Sequence, residues 1–556
     1  MLPFTKFGFP LQLRRNREFT EEVYPDLGIH TGVAPNKVPA GYSPRNQNLV
    51  PRKDGEVNLR EGLQSIGTYT QGEPVLGSIA LHDIFGNPAA LAMSAGTFSY
   101  IHKTGGQWST LSYIDSSVVA NSFVGVPSGL STDYWRAVQI YEPSSDSMIA
   151  VASNNTDWIK FCYVHAGTAV YSDFTWTDSL LSTKLAKGVE AFDDRLVFFN
   201  TTNAGDIQFP TRLLYSARGN CLSYAIADGA GIIDLMDMTG QGTAAIRYRD
   251  LLILFSDHEL WRAIPTRDAN AFQCNRIADK FGCEAPRTIA TTAYGVVFLG
   301  RDLEVYITDG NGVESLGPVS GTGPSRIQKL LKEELTNTSR AWGLYNQNLN
   351  RYELYYATAS STDGFPNNAL FYSFEEKTWW RQSFNRSLSD GVDLEDVQAL
   401  NVVTWDSLSV TWDSYNAPWD SLATSFGDLR VNAFDSSGSF YRFNSSATVD
   451  AGGDAIDVRW RSPGLNQRGT VRRAGMSELW LEGVGTSNSS VSVFVSDNLG
   501  ETFTNPVAVS VSSLDYDTHV PLWVDAKNPM FEVRSNDGQT PSFTRFKAVL
   551  RESGKF

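Results

Sequence analysis

The sequence predicts an all-β protein: a six- or seven-bladed β-propeller followed by a C-terminal β-sandwich, with an extended N-terminal arm. Three observations lead there. Stretches of about four to seven residues, rich in β-branched and aromatic side chains and bounded by polar turns, recur along most of the chain. An aromatic at a turn precedes a hydrophobic strand at Phe85, Tyr141, Phe192, Tyr248, Tyr294 and Tyr345, in steps of 56, 51, 56, 46 and 51 residues. A period near fifty carried by strands is the mark of propeller blades. From about residue 451 the texture shifts to plain alternation with a turn every ten residues or so, as in Ser490-Val-Ser-Val-Phe-Val and His519-Val-Pro-Leu-Trp-Val, which reads as a sandwich. The expected boundaries are 1–62 for the arm, 63–450 for the propeller and 451–556 for the sandwich.

The arm is called extended because Pro3, Pro10, Pro25, Pro35, Pro39, Pro44 and Pro51 forbid a long helix. Its basic cluster, Arg14, Arg15 and Arg17, is either a solvated surface or a docking arm for a neighbouring subunit. The repeats that follow alternate well: in Thr97-Phe-Ser-Tyr, Phe98 and Tyr100 share one face. The most regular ones run through Arg195-Leu-Val-Phe-Phe, Asp250-Leu-Leu-Ile-Leu-Phe, Val296-Val-Phe-Leu and Arg351-Tyr-Glu-Leu-Tyr-Tyr. A last, irregular unit holds Asp428-Leu-Arg-Val and Gly438-Ser-Phe-Tyr, so the sequence leaves six or seven blades open.

Two segments break the pattern. Near 325–336, Ile327, Leu330, Leu331 and Leu335 fall on one helical face behind Ser325, a fair N-cap. This helix either straps a blade end or makes an intersubunit contact through Ile327 and Leu331. Further on, Trp405, Trp412 and Trp419 recur at intervals of seven, each followed by Asp-Ser. Pro418 and the Asp-Ser pairs oppose a coiled coil, so these are read as repeated turns whose indoles pack on a neighbour or form saccharide platforms.

Charge and motifs narrow the function classes. The net charge of −15 is uneven: residues 1–62 hold nine Lys/Arg against seven Asp/Glu, 451–556 hold eleven against twelve, and the middle carries −16. Such a body lacks the cationic surface that grips phosphate backbones, so duplex DNA should bind only weakly and without sequence preference. Four cysteines, Cys162, Cys221, Cys274 and Cys283, are too few for a disulfide scaffold and are expected to be reduced. The six histidines are scattered singly and no metal or cofactor site is expected. No run of apolar residues is long enough to span a membrane as a helix. Ser496-Asp-Asn-Leu-Gly-Glu-Thr-Phe resembles the Asp-box of sialidase-like propellers but has Asn498 in place of the aspartate, and reads as a hairpin turn. No nucleophile elbow or P-loop occurs, and no motif selects a carboxylate pair, so no enzyme is expected.

The order of several segments is similar to propeller-containing tail proteins of tailed bacteriophages. These are Ser43-Pro-Arg-Asn, Arg60-Glu-Gly-Leu, Leu214-Tyr-Ser, Asp250-Leu-Leu-Ile-Leu-Phe-Ser-Asp-His-Glu-Leu-Trp-Arg, Phe281-Gly-Cys-Glu-Ala-Pro-Arg, Val296-Val-Phe-Leu-Gly and the Trp-Asp-Ser repeats. The resemblance implies a tail nozzle: a structural virion protein, assembled in the host cytoplasm, that retains packaged DNA and forms the channel for its ejection. It further implies a homo-oligomeric ring, a hexamer by analogy, against portal-adaptor or other tail proteins, with tail fibres as further candidate partners. The alternatives are a receptor-binding or fibre-adaptor protein and, behind it, a sialidase-like glycoside hydrolase.

Overall fold

A computed structural model of the chain describes residues 18–51, 56–68, 72–82, 88–104, 107–112, 114–115, 127, 132–143, 147–165, 168–174, 183–266, 271–319, 323–396, 428–444, 447–465, 473–484, 489–511, 515–536 and 542–552. They fall into two units, one formed by residues of 60–456 and the other by residues of 1–59 and 457–556.

The larger unit is a seven-bladed propeller. Seven sheets follow one another along the chain, and their first strands are Gly77–His82, Arg136–Glu142, Thr183–Phe192, Gly242–Tyr248, Ala290–Thr291, Trp342–Asn346 and Leu388–Asp396. Each of these touches the next, and the last touches the first, so they line the inside of a closed ring. The periodic aromatics now have a structural meaning: Tyr141, Phe192, Tyr248 and Tyr345 lie at or beside the end of an inner strand, and Tyr294 in the turn after one. Between Phe192 and Arg195, Asp193 and Asp194 both have positive φ, 53° and 55°, which makes a two-residue turn that suits the twist of a hairpin. The second strand of each blade is covered on both faces. Within these strands Leu196–Phe199 and Leu251–Phe255 are therefore continuous apolar runs rather than alternating ones. Side chains from adjacent blades interlock between the sheets. Phe199 and Leu213 of the third blade meet Leu252 and Trp261 of the fourth, and Phe255 meets Phe298 of the fifth edge-on at 5.2 Å.

The seventh blade explains why the sequence stopped at six or seven. Its first three strands, Leu388–Asp396, Asp428–Asp435 and Ser439–Asn444, end the propeller, but its fourth, Gly62–Thr68, begins it. Just before that strand, Arg60 forms a buried two-pronged ion pair with Asp450, Nη1–Oδ1 at 2.9 Å and Nη2–Oδ2 at 2.6 Å. Arg60 also donates to the Ser383 carbonyl and stacks on Phe384, while Asp450 accepts from the Leu63 amide. Gly62 is required beside this clamp, since a Cβ there would lie 2.4 Å from the Val449 carbonyl oxygen.

The helix is shorter than expected, Gln328–Glu334, and Ser325 supports its start by accepting from the Gln328 amide at 3.1 Å. Ile327 and Leu331 are fully buried within the chain, which corrects their assignment to an intersubunit contact. The helix end is tied to the sixth blade through Glu334, which accepts from Tyr356 and pairs with Arg381.

The second unit corrects the N-terminal arm. From residue 18 onward it is not a free extension: Glu18–Val23 pairs antiparallel with Arg545–Glu552, and Asn46–Gln47 pairs with Arg459 and Trp460. Two sheets result. One orders Glu18–Val23, Arg545–Glu552, Ala474–Val484 and Asp515–Ala526; the other orders Asn46–Gln47, Val458–Arg461, Met530–Ser535, Ser489–Ser496 and Val507–Val511. They share an aromatic cluster in which Trp460 stacks on Phe546 at 4.7 Å, with Phe531 and Phe543 against the same ring. The Ser496 segment is the hairpin turn read from sequence, with Asn498 accepting from the Thr502 amide. Beside it, Glu532 is fully buried between Arg461 and Arg534. Among the described residues no helix is long and apolar enough to cross a membrane.

Two stability predictions follow from these ion pairs. Replacing Arg60 with Ala strands Asp450 in the interior, and loss of one partner of a buried pair costs about 3–5 kcal/mol. Urea unfolding of the propeller should show a loss of that size, and a change near zero would remove the clamp from the account of ring closure. For Glu532, burial alone would raise the carboxyl, but the Arg461 and Arg534 guanidiniums outweigh it and hold it below its ordinary value. The unfolded chain then binds this proton more tightly, so its contribution is present above the ordinary carboxylate pKa and lost as pH falls through the lowered one. Acid titration of Glu532→Gln should lack that part of the wild-type loss.

Candidate functional site

Several of the segments that enter the inner strands carry ionisable residues that meet one another. Tyr134, Trp135 and Arg136 lead into the second blade. Trp135 is buried against Phe98, ring centroids 4.8 Å apart, and its indole donates to the Ser94 carbonyl. In extended backbone this leaves its neighbours Tyr134 and Arg136 on the opposite side. Arg287 sits in the short turn Pro286–Thr288 before the fifth blade. That turn is fixed by the Thr288 hydroxyl, which donates to the Ala285 carbonyl, and by the Tyr352 hydroxyl, which donates to the Thr288 carbonyl. Arg340 ends an equivalent turn, Thr338–Arg340, before the sixth blade, capped by Asn337. Ser78 and Asp390 stand near the starts of the first and seventh inner strands.

These residues touch across the ring. Arg287 Nη2 donates to Asp390 Oδ1 at 2.8 Å and to the Ser389 carbonyl at 2.8 Å. Ser78 donates to the other carboxylate oxygen at 2.6 Å. The Arg287 guanidinium lies 4.1 Å from the Tyr134 ring centroid, and Arg136 reaches from the second blade to the Pro286 carbonyl. Arg340 lies over Phe365 and donates to the Asp363 carbonyl. The Arg287 and Asp390 side chains are only 7% and 11% exposed, yet Arg287 Nη1 has no hydrogen-bond partner among the described residues. The Tyr134 hydroxyl is likewise buried beside Arg340 without a well-formed hydrogen bond.

The electrostatics are those of an underneutralised cationic site. Among the described residues of the cluster, three guanidiniums, Arg136, Arg287 and Arg340, meet two carboxyls: Arg287 pairs with Asp390, and Arg136 lies near Glu190. Burial pulls Arg136 below its ordinary pKa. Burial pushes the Tyr134 phenol up, and the Arg287 and Arg340 charges draw it back. Asp390 is raised by burial against the opposing pull of Arg287 and Ser78. Further along the third inner strand, Glu190 accepts from the Ala191 amide, and burial pushes its carboxyl up to about 7 despite the opposing charges of Arg136 and Arg247. Burial also takes the Cys283 thiol up to about 12, so it is neutral at physiological pH. Among the described residues no three His, Cys, Asp or Glu side chains are placed to hold a metal ion.

None of the site residues expected from sequence belongs to this cluster. Arg14, Arg15 and Arg17, and Trp405, Trp412 and Trp419, lie outside the described residues. Ile327 and Leu331 belong to the core. The one local signal that could have pointed here is Tyr134-Trp-Arg136, where a buried anchor sends its two neighbours the same way.

No protein-family model matches the chain, and no curated protein matches it. Solved structures similar to it include the exo-β-1,3-galactanase of Phanerochaete chrysosporium with galactose. That likeness has 10% identity and a TM-score of 0.26, and covers 88% of this chain and all of the other. A glycoside hydrolase matches at 9% identity and TM-score 0.25, covering 87% of this chain and 100% of that one. A mutant of AofleA from Arthrobotrys oligospora matches at 8% and 0.31, over 59% of this chain and 92% of that one. The expectation of a non-enzymatic tail nozzle is corrected here. The solved structures found include glycoside hydrolases, and neither the DNA-channel reading nor the expected lack of catalysis is carried forward. At these identities the likeness concerns the strand-rich fold, and the function rests on the residues of this chain.

A pH dependence follows from Glu190. Its folded pKa lies above the unfolded value, so the folded state holds the proton more tightly and stability falls as pH rises from the ordinary carboxylate range towards about 7. Asp393, raised to about 7 by burial and then by Glu353, acts in the same direction. Thermal unfolding of Glu190→Gln between pH 5 and 7 should show a smaller decline than the wild type. An equal decline would place the titration elsewhere.

Proposed function

We propose that the propeller is a carbohydrate-active protein whose axial cluster takes a saccharide bearing a carboxylate. The observation that carries this reading is the gathering of Arg287 and Arg340 about Tyr134, with Arg136 near Arg287, against two carboxyls: Asp390, held by Arg287, and Glu190, near Arg136 and raised by burial. Burying guanidinium without matching charge is unfavourable, and an anionic ligand relieves it. Asp390 takes Nη2 of Arg287 and leaves Nη1 without a partner among the described residues, with the Tyr134 ring against the same guanidinium. Guanidinium and phenol donors of this kind fit the oxygens of a planar carboxylate. Burial raises the Glu190 carboxyl to about 7, into the range that suits a general acid.

The test is calorimetric titration of the full chain with glucuronate, galacturonate and N-acetylneuraminate, each beside a neutral sugar of similar size. At least one acid sugar should bind and the neutral ones should not. Arg287→Met should weaken that binding by roughly 10- to 100-fold, the range for a lost charge-assisted hydrogen bond. Equal binding of neutral sugars, or unchanged binding by the variant, would overturn the assignment. Hydrolysis of the matching fluorogenic glycoside, lost in Asp390→Asn while binding persists, would place cleavage at the same site.

A further inference from the structure

The outward face of one sheet in the second unit carries an aromatic surface that the axial site does not use. Trp523, on the edge strand Asp515–Ala526, is 62% exposed. Its indole lies against Gly475 of the neighbouring strand: a Cβ there would be 3.1 Å from Cη2 and 3.3 Å from Cζ2 of the ring. Because residue 475 has no side chain, the ring can lie down on the sheet and turn a face outward. The ladder is irregular here, between Met476 and Glu478, and bulges of this kind re-aim side chains. On the same face Trp480 stands opposite His519, ring centroids 4.9 Å apart, and His519 lies 3.7 Å from Glu478.

The surroundings decide what could cover this face. Among the described residues of this unit, the other large hydrophobic side chain that is exposed is Tyr24, so Trp523 is not part of a broad apolar patch of the kind protein interfaces bury at their centre. Its neighbours are polar and balanced in sign: Asp525 pairs with Arg473 at 3.4 Å, Glu478 lies by His519, Arg551 stands opposite Gly475 and pairs with Glu18, and Lys547 stands opposite Trp480. A flat ring with donors and acceptors at its rim and no net charge suits the C–H face and hydroxyl groups of a sugar. We propose that Trp523, seated on Gly475 and flanked by Trp480 and His519, is a second saccharide-binding surface, for neutral polysaccharide, independent of the axial anion site.

Affinity electrophoresis of the full chain in native gels containing laminarin, xylan, galactan or hydroxyethyl cellulose tests this. At least one polysaccharide should retard the wild type, Trp523→Ala should abolish the retardation, and Arg287→Met should leave it intact. Gly475→Val keeps the tryptophan but lifts the ring off the sheet, and should reduce the retardation at least fivefold. No retardation in any gel, or retardation unchanged in Trp523→Ala and Gly475→Val, overturns the proposal. So does sedimentation showing that Trp523→Ala dissociates an oligomer, since the face would then be a contact between copies. Loss of retardation in Arg287→Met would assign the binding to the axial site instead.

Discussion

The propeller depends on one junction. A ring of sheets has no inherent closure: each blade buries its faces against two neighbours, so an open arc would expose two whole sheet faces. Here the strand that begins the unit, Gly62–Thr68, is bonded into the blade that ends it, and Arg60 grips Asp450 with both arms of its guanidinium. The pair is nearly inaccessible to water, at 1% and 2% exposed, so its geometry is unusually demanding. The additional bonds to Ser383, Glu61 and Leu63 are what make such burial tolerable, because they leave few polar atoms of the pair unmatched. Closure also sets the site: Asp390 and Ser78 belong to the seventh and first blades, and their 2.6 Å contact exists only in a closed ring.

The axial cluster runs against the charge of its surroundings. Residues 63–450 carry −16, yet the entering segments of the second, fifth and sixth blades bring the guanidiniums of Arg136, Arg287 and Arg340 close together. A generally acidic body repels anions at long range, but salt limits that reach to roughly 8–10 Å. Inside a half-buried cluster, screening is weak and local charge dominates. The net charge of the body therefore does not describe this cluster, where the local composition is reversed. Overall charge could never have revealed this, because three arginines scarcely alter a total of −16.

What was legible in the sequence was periodic and local. Tyr141, Phe192, Tyr248, Tyr294 and Tyr345 mark the turn from an inner strand to the next because that turn recurs with the same steric needs in each blade. The hairpin at Ser496 and the helix after Ser325 were readable for the same reason. The first and last strands were not: Gly62–Thr68 pairs with residues more than 370 positions away, and no local pattern encodes its partner. Prolines made residues 1–62 look like a free arm, since extended chain and edge strand have the same composition until a partner is known. The site was hidden most deeply. Ser78, Tyr134, Arg287, Arg340 and Asp390 come from five segments, and each alone looks like an ordinary turn or strand residue.

The same topology constrains how the chain can assemble. Arg60 and Asp450 are 390 residues apart, and closing a flexible loop of that length costs about 5 kcal/mol before any contact rewards it. The second unit faces a similar burden, because Ser43 bonds the Arg461 carbonyl across 418 positions. The two costs are not additive. Once the ring has closed, the span between Ser43 and Arg461 shrinks to roughly thirty free residues, which lowers its closure cost by about 2 kcal/mol. Closing the second unit first shortens the route between Arg60 and Asp450 equally, but gains less, since the blades would still have to form one upon another. Each blade is built from consecutive hairpins whose contacts are local, so the ring can grow in sequence order and needs only one distant pairing to finish. The second unit also has local hairpins, Leu49–Pro51 with Val57–Leu59 and Ser489–Ser496 with Val507–Val511, but Glu18–Val23 and Asn46–Gln47 pair with the far end of the chain. Ring closure, which needs one distant pairing, lowers the closure cost of the unit made of both chain ends.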